Sequence, residues 1–348
     1  MTRTVYVGGV AVGGENRITV QTMATVKTER VEECAGEICR AAEAGADLVR
    51  VAVKDEADAL ALKTIADKAP CPIIADIHFD YRLAIKSMEN GAAKIRVNPG
   101  NIGGKREIKA VSDCLKAHGI PVRVGSNSGS IEKEFLDKYG RSAEALAMSA
   151  LRAAETFEEF GVRDIVLSAK ASDVKTTVRA YEILSELCDY PLHVGVTEAE
   201  TKEYGVIKGA MGIGSLLLKG IGDTVRVSLT APVEEEVRAA IRILRAAGID
   251  KNYAEVVSCP TCGRCDYDVA AIAEKIQKAT ENARKPLKIA VMGCVVNGVG
   301  EGKDADIGIA GGSDKCVIFS RGEILRTVRR ECAEEELLKE VNLVLTKI

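Results

Sequence analysis

The chain has 348 residues, of which 47% are hydrophobic and 28% are charged, and its formal net charge at pH 7 is −3. This length predicts one large domain and a smaller one, and the composition can bury a sizeable core. The near-balanced charge excludes a global basic field for nucleic acid or a membrane surface, so an anionic ligand needs a local cluster of cations. We find no signal pattern at the N-terminus and no apolar run that could span a bilayer, and therefore expect a cytoplasmic protein with no membrane and no nucleic-acid partner.

Short β-rich runs alternate with helical stretches through the first part of the chain. Eight runs are predicted as strands: Ile18–Gln21, Asp47–Val53, Pro72–Asp76, Ala93–Asn98, Pro121–Gly125, Asp164–Ser168, Pro191–Val196 and Asp223–Leu229. Eight β-then-α units match a (β/α)₈ TIM barrel in count and length, and a doubly wound open sheet is the alternative.

Six of the stretches between these strands carry apolar residues at three- and four-residue spacing, which predicts helices. They are Glu29–Ala44, Asp55–Asp67, Tyr81–Asn90, Ser142–Phe160, Asp173–Leu187 and Val233–Ala246. Gly45, Gly91, Gly161 and Gly248 stand where helix C-caps are expected.

The pattern changes near Gly248, and we divide the chain into a barrel domain, residues 1–247, and a smaller α+β domain, residues 248–348. In the second domain the sequence predicts a strand at Glu255–Ser258, a cysteine-rich turn and a helix at Val269–Ala283. A strand at Leu287–Met292, a Gly-rich loop, and a final sheet and helix follow.

Four arginines lie inside otherwise apolar strands: Arg50, Arg96, Arg123 and Arg226. A buried guanidinium without a partner is costly, so each arginine needs a carboxylate or a phosphate. Any one of them alone is explained by a barrel ion pair. Four at equivalent places near the C-terminal ends of barrel strands favour a shared anionic ligand.

Further polar side chains fall at the same strand ends. They are Asp76, His78, Asn98, Asn127, Lys170, His193, Glu198 and Ser228. The two histidines are also compatible with hydrogen-bonded packing residues. Together the set predicts a polar, cation-rich mouth suited to a diphosphate.

Eleven cysteines in a chain expected in a reducing compartment indicate metal ligands or inert thiols, not disulfides. Cys259, Cys262 and Cys265 lie in one short run, and Cys294 follows in GCVVNGVGE, which ends at Glu301. A structural zinc site would need Cys265 as its fourth ligand, because no histidine is near. A cluster with three cysteines and a weaker oxygen ligand fits better. The other seven cysteines are interpreted as small buried hydrophobes.

The motifs CPTCGR, GCVVNGVGE, ADIHFDYR, IRVNPGNIG and GDTVRVSL together closely resemble the 4-hydroxy-3-methylbut-2-enyl diphosphate synthase family, in its short two-domain form, over nearly the whole chain. The resemblance implies a ferredoxin- or flavodoxin-dependent iron–sulfur oxidoreductase of the methylerythritol phosphate pathway of isoprenoid synthesis. Its substrate would be 2-C-methyl-D-erythritol 2,4-cyclodiphosphate, opened by two electrons with loss of water. The second domain would resemble a sulfite or nitrite reductase module.

The resemblance also implies roles for single residues. A [4Fe–4S] cluster would be held by Cys259, Cys262, Cys294 and Glu301. The substrate would be contacted by Arg50, Arg96, Arg123, Lys170, Arg226, Ser228 and Asn297, with Glu198 as an acid or base. Cys265 departs from the family pattern and competes with Glu301 as the fourth ligand.

Two further expectations concern alternatives and assembly. A pterin- or corrinoid-type transferase barrel with a structural metal domain is the alternative enzyme, and a non-catalytic binding protein is the alternative class. The predicted helix Val233–Ala246 ends at the face opposite the mouth, and only about a dozen residues separate it from Cys259. We therefore expect a homodimer in which each cluster closes the other chain's barrel.

Overall fold

A computed structural model describes residues 1–198, 201–265, 267–312 and 314–346. The chain divides into two units, Met1–Ile249 and Asp250–Ile348, each with its own hydrophobic core. No helix in the described ranges is long and apolar enough to cross a membrane.

The first unit begins with a short antiparallel hairpin that the sequence did not predict, made of β1 (Val5–Val7) and β2 (Val10–Val12). Val7 and Val12 pack against Leu48 and Ile74, which lie at the starts of two barrel strands. The hairpin therefore covers the N-terminal end of the barrel with apolar side chains. Its strands are too short for an alternating pattern to show in the sequence.

Eight parallel strands form the barrel, and this prediction is confirmed. They are β3 (Thr19–Met23), β4 (Leu48–Val53), β5 (Ile73–Ile77), β6 (Lys94–Arg96), β7 (Val122–Asn127), β8 (Ile165–Lys170), β9 (His193–Val194) and β10 (Thr224–Val225). The sheet runs β8-β7-β6-β5-β4-β3-β10-β9, and a parallel bridge between Leu167 and Leu192 joins its two ends. Because the ends meet, the doubly wound open sheet is excluded.

The junction of β8 and β9 is held by one buried tyrosine. Tyr181 accepts a hydrogen bond from the backbone N–H of Ala169 at 3.1 Å and donates to the carbonyl of His193 at 2.5 Å. The regular ladder of β9 is only two residues long, shorter than the predicted Pro191–Val196. Tyr181 therefore supplies polar contacts at the point where strand pairing is sparse.

Nine helices of the first unit surround or connect these strands in its described part. They are α1 (Val31–Glu43), α2 (Glu56–Lys68), α3 (Tyr81–Glu89), α4 (Lys105–His118), α5 (Lys133–Tyr139), α6 (Ala143–Glu158), α7 (Val174–Leu187), α8 (Lys202–Leu217) and α9 (Val233–Ala246). The six predicted helices are all present. Asp55, Asp80, Ser142 and Asp173 accept hydrogen bonds from the first turns of four of them, as N-caps do.

Helices α4, α5 and α8 were not predicted. In α8 the reason is its glycines, which are poor helix formers. A Cβ on Gly212 would lie 2.5 Å from the Cγ2 of Val196, so the helix can approach the barrel only with glycine at that position. Tertiary packing has overridden intrinsic helix propensity here.

The second unit is a five-stranded mixed sheet with helices. Its elements are β11 (Ala254–Ser258), α10 (Val269–Thr280), β12 (Leu287–Met292), α11 (Val295–Glu301), β13 (Ile307–Ala310), β14 (Lys315–Ser320), β15 (Glu323–Arg329) and α12 (Ala333–Thr346). Strands β11, β12 and β13 are parallel, and β14 and β15 continue the sheet antiparallel. The likeness to a sulfite or nitrite reductase module stays a prediction.

The predicted Gly-rich loop after Met292 is wrong, because residues Val295–Glu301 form helix α11. Gly298 is buried in this helix, and a Cβ there would lie 2.6 Å from the Cβ of Met292. The glycine allows close packing of the helix on its neighbouring strand. The sequence alone does not separate that role from loop flexibility.

Candidate active site

The neighbouring strands β4, β5 and β6 bring Arg50, Asp76 and Arg96 together. Asp76 stands in register with Arg96 on the neighbouring strand. Its Oδ1 accepts a hydrogen bond from the Nη1 of Arg96 at 3.1 Å, and its Oδ2 lies 3.6 Å from the Nε of Arg50. Arg50 also contacts the Sδ of Met23, with its Nη2 at 2.8 Å. One carboxylate therefore positions two guanidinium groups.

Asp76 is only 3% exposed, yet its environment keeps it ionised. Burial alone would raise its pKa, but the charge of Arg50, the neighbouring His78 imidazole and the charges of Arg96 and Arg123 outweigh burial and hold the pKa well below its usual range. The Nε2 of His78 lies 3.6 Å from Asp76 Oδ2, although the imidazole itself is half exposed. His78 is thus placed at the rim of the site.

Arg123 and Lys170 are the most deeply buried of the predicted phosphate ligands. Arg123 is 3% exposed and its Nε has no hydrogen-bond partner among the described residues. Burial, together with the charges of Arg50 and Arg96, lowers the pKa of Arg123 well below its usual value. For Lys170, burial and the charges of Arg123, Arg226, Arg50 and Arg96 lower the pKa in the same way. A Cβ on Gly195 would lie 2.7 Å from the Lys170 Nζ, so this glycine makes room for the lysine.

Arg226 has a partner that sequence reasoning missed. Its Nη2 lies 3.4 Å from Oε1 of Glu236, and the same Oε1 accepts the backbone N–H of Leu229 at 2.9 Å. The other oxygen of Glu236 accepts the hydroxyl of Thr22 at 2.7 Å. Glu236 lies on the buried face of α9 with Val233, Val237 and Ala240. A carboxylate on that apolar stripe was the signal that could have identified it.

His193 lies inside the barrel, fully buried, and neither of its ring nitrogens has a hydrogen-bond partner in the described part of the chain. Burial, then the charges of Lys170, Arg123, Lys94 and Arg50, lower its pKa well below the usual value. The imidazole is therefore neutral at pH 7. It can donate from one nitrogen and accept at the other.

Asn98 and Asn127 are half-buried at the ends of β6 and β7. The Asn98 Oδ1 accepts the backbone N–H of Gly100 at 3.1 Å, which shapes the turn after the strand. The backbone N–H of Asn127 donates to the hydroxyl of Ser130 at 3.1 Å. Both residues lie at the predicted mouth, and the contacts seen for them are with their own loops.

Glu198 and Ser228 line one small pocket after β9 and β10, together with Lys208 and the glycines of α8. Glu198 is exposed, and its backbone has φ of +60°, a left-handed conformation that is uncommon for a residue with a side chain. Such strain is concentrated at functional positions.

The charges inside the barrel are strongly unbalanced. Six cationic side chains lie on or directly after five of its strands: Arg50, Lys94, Arg96, Arg123, Lys170 and Arg226. Among the described residues, the carboxylates that bond to them there are Asp76 and Glu236. After burial, the charges of neighbouring cations lower the pKa values of Arg50, Arg123 and Lys170, as expected for side chains that share one region. This arrangement fits a ligand that carries several negative charges.

In the second unit the cysteines gather at one sheet edge. Cys259 directly follows β11 and Cys294 follows β12, and these two strands are parallel neighbours. The Cys259 N–H donates to the carbonyl of Val291 at 3.2 Å, and the Gly293 N–H donates to the Cys259 Sγ at 3.0 Å. The carboxyl ends of parallel strands meet at one edge, so the spacing of the two motifs along the chain becomes proximity in space.

Cys265 lies against the same backbone. A Cβ on Gly293 would lie 2.8 Å from the Sγ of Cys265 and 3.1 Å from that of Cys259. Burial, and then the nearby thiols Cys316, Cys265, Cys259 and Cys294, raise the pKa of Tyr267 above its usual value. Gly293 thus leaves a space beside two sulfurs that any larger residue would fill.

Cys262, Asn297 and Glu301 are exposed, the last two on α11. Within the described ranges no three His, Cys, Asp or Glu side chains stand at metal-binding distances from one another. The chemistry of the donors nevertheless fits an iron–sulfur cluster, because several thiols and one carboxylate lie on the loop and helix that follow two adjacent strands.

Fold and site together define a (β/α)₈ barrel with a polycationic mouth, joined to an α+β unit with a cysteine-lined edge. Two family profiles match this chain: the "GcpE TIM-barrel domain" over residues 2–241 and the "GcpE protein C-terminal domain" over residues 255–343. The chain belongs to the GcpE family, the 4-hydroxy-3-methylbut-2-en-1-yl diphosphate synthases, and the resemblance given by its motifs is confirmed.

Curated relatives carry that synthase name with the qualifier "(flavodoxin)". A protein of Caldanaerobacter subterraneus is 53% identical over 98% of this chain and 96% of its own length. One of Desulfotalea psychrophila is 50% identical over 97% of this chain and 93% of its own. These names do not favour the transferase alternative.

Among solved structures, a dihydropteroate synthase from Stenotrophomonas maltophilia superposes with a TM-score of 0.52 at 14% identity, over 70% of this chain and 96% of that one. The dihydropteroate synthase from Thermus thermophilus superposes with a TM-score of 0.50 at 16% identity, over 71% of this chain and 98% of that one. At such identities the likeness shows the barrel fold alone.

We predict that Asp76→Asn lowers the free energy of unfolding at pH 7 by about 3–5 kcal/mol, because two buried guanidinium groups lose their shared carboxylate. The native pKa of Asp76 is below the unfolded value of about 3.9, so this stabilisation is complete above that pH and is lost as pH falls further. Urea unfolding should therefore show a constant difference between variant and wild type from about pH 5 to pH 8, narrowing below about pH 4.

Asp67→Asn is the matched control, since Asp67 forms an exposed pair with Lys63. It should change stability little at any pH. A loss of stability in Asp76→Asn no larger than that in this control would contradict the role given to Asp76.

Proposed function

We propose that this chain catalyses the two-electron reductive opening of 2-C-methyl-D-erythritol 2,4-cyclodiphosphate to 4-hydroxy-3-methylbut-2-enyl diphosphate, with loss of water. The names of its relatives support this reaction. The structural observation that carries it is the excess of buried cations over carboxylates in the barrel, because a diphosphate supplies the missing negative charge.

The substrate would be held by the barrel mouth. Arg50, Arg96, Arg123, Lys170 and Arg226 would contact the phosphates, since guanidinium groups form paired hydrogen bonds with phosphate oxygens. The rest of the molecule would be oriented by the neutral donors and acceptors Asn98, Asn127, His193 and Ser228. Asp76 and His78 would hold the arginines in place. Asn297, a residue of the second unit, is also proposed to contact the substrate. These contacts would position the substrate for reaction and would stabilise the negative charge that develops on the departing oxygen.

Glu198 is proposed as the acid or base of the reaction. Its carboxyl group is open to solvent and shares a pocket with Ser228, which is proposed to bind substrate. A carboxyl in this position can exchange protons with water and pass one to a departing hydroxyl. The strained backbone at this residue is consistent with selection for function.

The cofactor is proposed to be a [4Fe–4S] cluster held by Cys259, Cys262, Cys294 and Glu301. Such a cluster supplies electrons one at a time. In this chain the Cys259 Sγ accepts a hydrogen bond from the Gly293 N–H, and Cys294 stands at the N-cap position of α11. Glu301 ends the same helix, so a carboxylate oxygen takes the place of a fourth thiolate.

A flavodoxin is proposed as the electron donor, because the relatives' names include it, and a ferredoxin is the other candidate from the family resemblance. We place the protein in the cytoplasm, where such small carriers and reduced thiols occur together.

The working unit is proposed to be a homodimer in which each second unit serves the barrel of the other chain. Helix α9 runs back from the barrel mouth, and the seven residues 247–253 separate it from β11. Tyr204, Ile207, Met211 and Leu218 expose one apolar face of α8, each more than half accessible. A patch of that kind marks a protein contact, and a second copy is the occupant that this assembly provides.

Turnover tests the function directly. Protein purified without oxygen, given the cyclodiphosphate and reduced flavodoxin, should form the linear diphosphate, followed by mass spectrometry. Arg96→Ala and Arg123→Ala should each raise KM about 10- to 100-fold, since a charge-assisted phosphate contact is lost. Arg152→Ala, at an exposed arginine of α6, is the control and should behave as wild type. Absence of product from protein with a full cluster would refute the reaction.

The fourth cluster ligand is tested by a pair of variants. Glu301→Ala should keep the cluster absorbance and lose most turnover, because three thiolates still hold the iron. Cys265→Ser should keep both. Loss of the cluster in Cys265→Ser, with Glu301→Ala fully active, would assign the fourth position to Cys265.

Subunit exchange tests the dimer. At substrate concentrations well below the raised KM of Arg96→Ala, the Cys294→Ser and Arg96→Ala chains are each expected to be nearly inactive alone. A mixed dimer combines one intact barrel with one intact cluster unit, so partial activity should return after exchange. No recovery in samples where exchange is demonstrated would show that barrel and cluster act within one chain.

A further inference from the structure

Lys94 is a buried cation of the barrel that neither the sequence motifs nor the family comparison brought into the site. It is the first residue of β6, and its side chain is 0% exposed. Lys94 and Arg96 have the same parity on one strand, so both point to the barrel interior. Lys94 therefore lies one level below the Arg96 and Asp76 pair.

The Lys94 Nζ makes no hydrogen bond within the part of the chain that the structure describes. The charged or titratable groups that act on it or lie beside it are Arg123 on β7, Arg50 on β4 and His193 on β9. Burial, and then the charges of Arg123 and Arg50, lower the pKa of Lys94 well below its usual value. Among the described residues, none of the groups that act on Lys94 stabilises its ammonium form.

Other unpartnered polar groups surround the same level. Thr224 is in register with Thr19 on one side and with His193 on the other, so the three side chains form a row across β3, β10 and β9. Their polar atoms and both ends of the Gln21 amide lack hydrogen bonds among the described residues. Buried polar groups are normally satisfied, so such a concentration needs a ligand or ordered water.

A purely structural interior would be apolar here. Ile74, which pairs in register with Lys94 on β5, is apolar and packs on the hairpin that covers the barrel end. An isoleucine or methionine at position 94 would remove a buried amine at no cost in hydrogen bonds. Stability lost at one position is expected where a residue serves binding.

We propose that Lys94 is a further binding residue of the anion site, donating from below to a phosphate oxygen of the cyclodiphosphate, directly or through one ordered water. This inference rests on the proposed function. The phosphate would provide the acceptor and the negative charge that the ammonium group lacks in the protein alone.

The test uses Lys94→Met in protein loaded with its cluster and kept oxidised, so that ligand binds without turnover. Calorimetric titration with the cyclodiphosphate should show affinity at least about 10-fold weaker than wild type. Without ligand, the melting temperature should rise by about 2 °C or more, because a buried unpaired amine is gone. Cluster absorbance should be unchanged.

Ser87→Ala is the matched control, since Ser87 on α3 also has a buried, unpartnered hydroxyl but is not part of the proposed site. It should leave affinity unchanged. If Lys94→Met does not fold, Lys94→Gln retains a donor without the charge and should still weaken binding. Unchanged affinity in a folded Lys94 variant overturns the inference, whatever the melting temperature does. Failure of wild type to bind the cyclodiphosphate would instead refute the proposed function.

Discussion

The burial of several positive charges inside one barrel is the constraint on which the rest of the structure depends. Like charges in a low-dielectric interior repel, and each loses its hydration. Asp76 and Glu236 relieve part of this cost by holding Arg50, Arg96 and Arg226 in defined positions. The remainder is left for a ligand. On the proposed function a polyanionic substrate would offset this cost, whereas a neutral substrate would leave most of it uncompensated.

Contacts around the barrel stabilise the fold against the unfavourable free energy of burying these charges. The hairpin β1–β2 covers the N-terminal end with apolar contacts, and Tyr181 holds the sparsely paired junction of β8 and β9. Gly195 leaves the space that Lys170 occupies. Because the core between the strands and the outer helices is continuous and apolar, its burial can compensate for unfavourable interactions inside the barrel. Stability is thus provided by the outside of the barrel and function by its interior.

Much of the barrel could be predicted from the sequence, since eight β-rich runs and the arginines inside four of them set both the fold and the position of the mouth. What could not be predicted depended on tertiary contacts. Glu236 is one of three consecutive glutamates, and only its position on the buried face of α9 distinguishes it. The glycines of α11 indicated a loop, and the glycine-containing segment of α8 was not predicted as a helix, whereas the structure uses glycines of both helices for close packing. Lys94 was not identified from the sequence, although it lies two residues before Arg96 on the same strand. Residues two apart on a strand point to the same side, and this spacing was the available signal.

The two units follow one topological rule with different degrees of preorganisation. Both place their candidate functional groups on, or directly after, neighbouring parallel strands, so that strand pairing brings residues distant in sequence close together. In the barrel, ion pairs and burial fix the side chains without a ligand. At the cysteine edge, Cys259 and Cys265 are held beside Gly293, while Cys262 and Glu301 remain exposed. On the proposed assignment, Cys262 and Glu301 would be ordered when the cluster binds, because metal binding can supply the free energy that organises its ligands. The barrel site is therefore largely preorganised, whereas the cysteine edge would be completed by its cofactor.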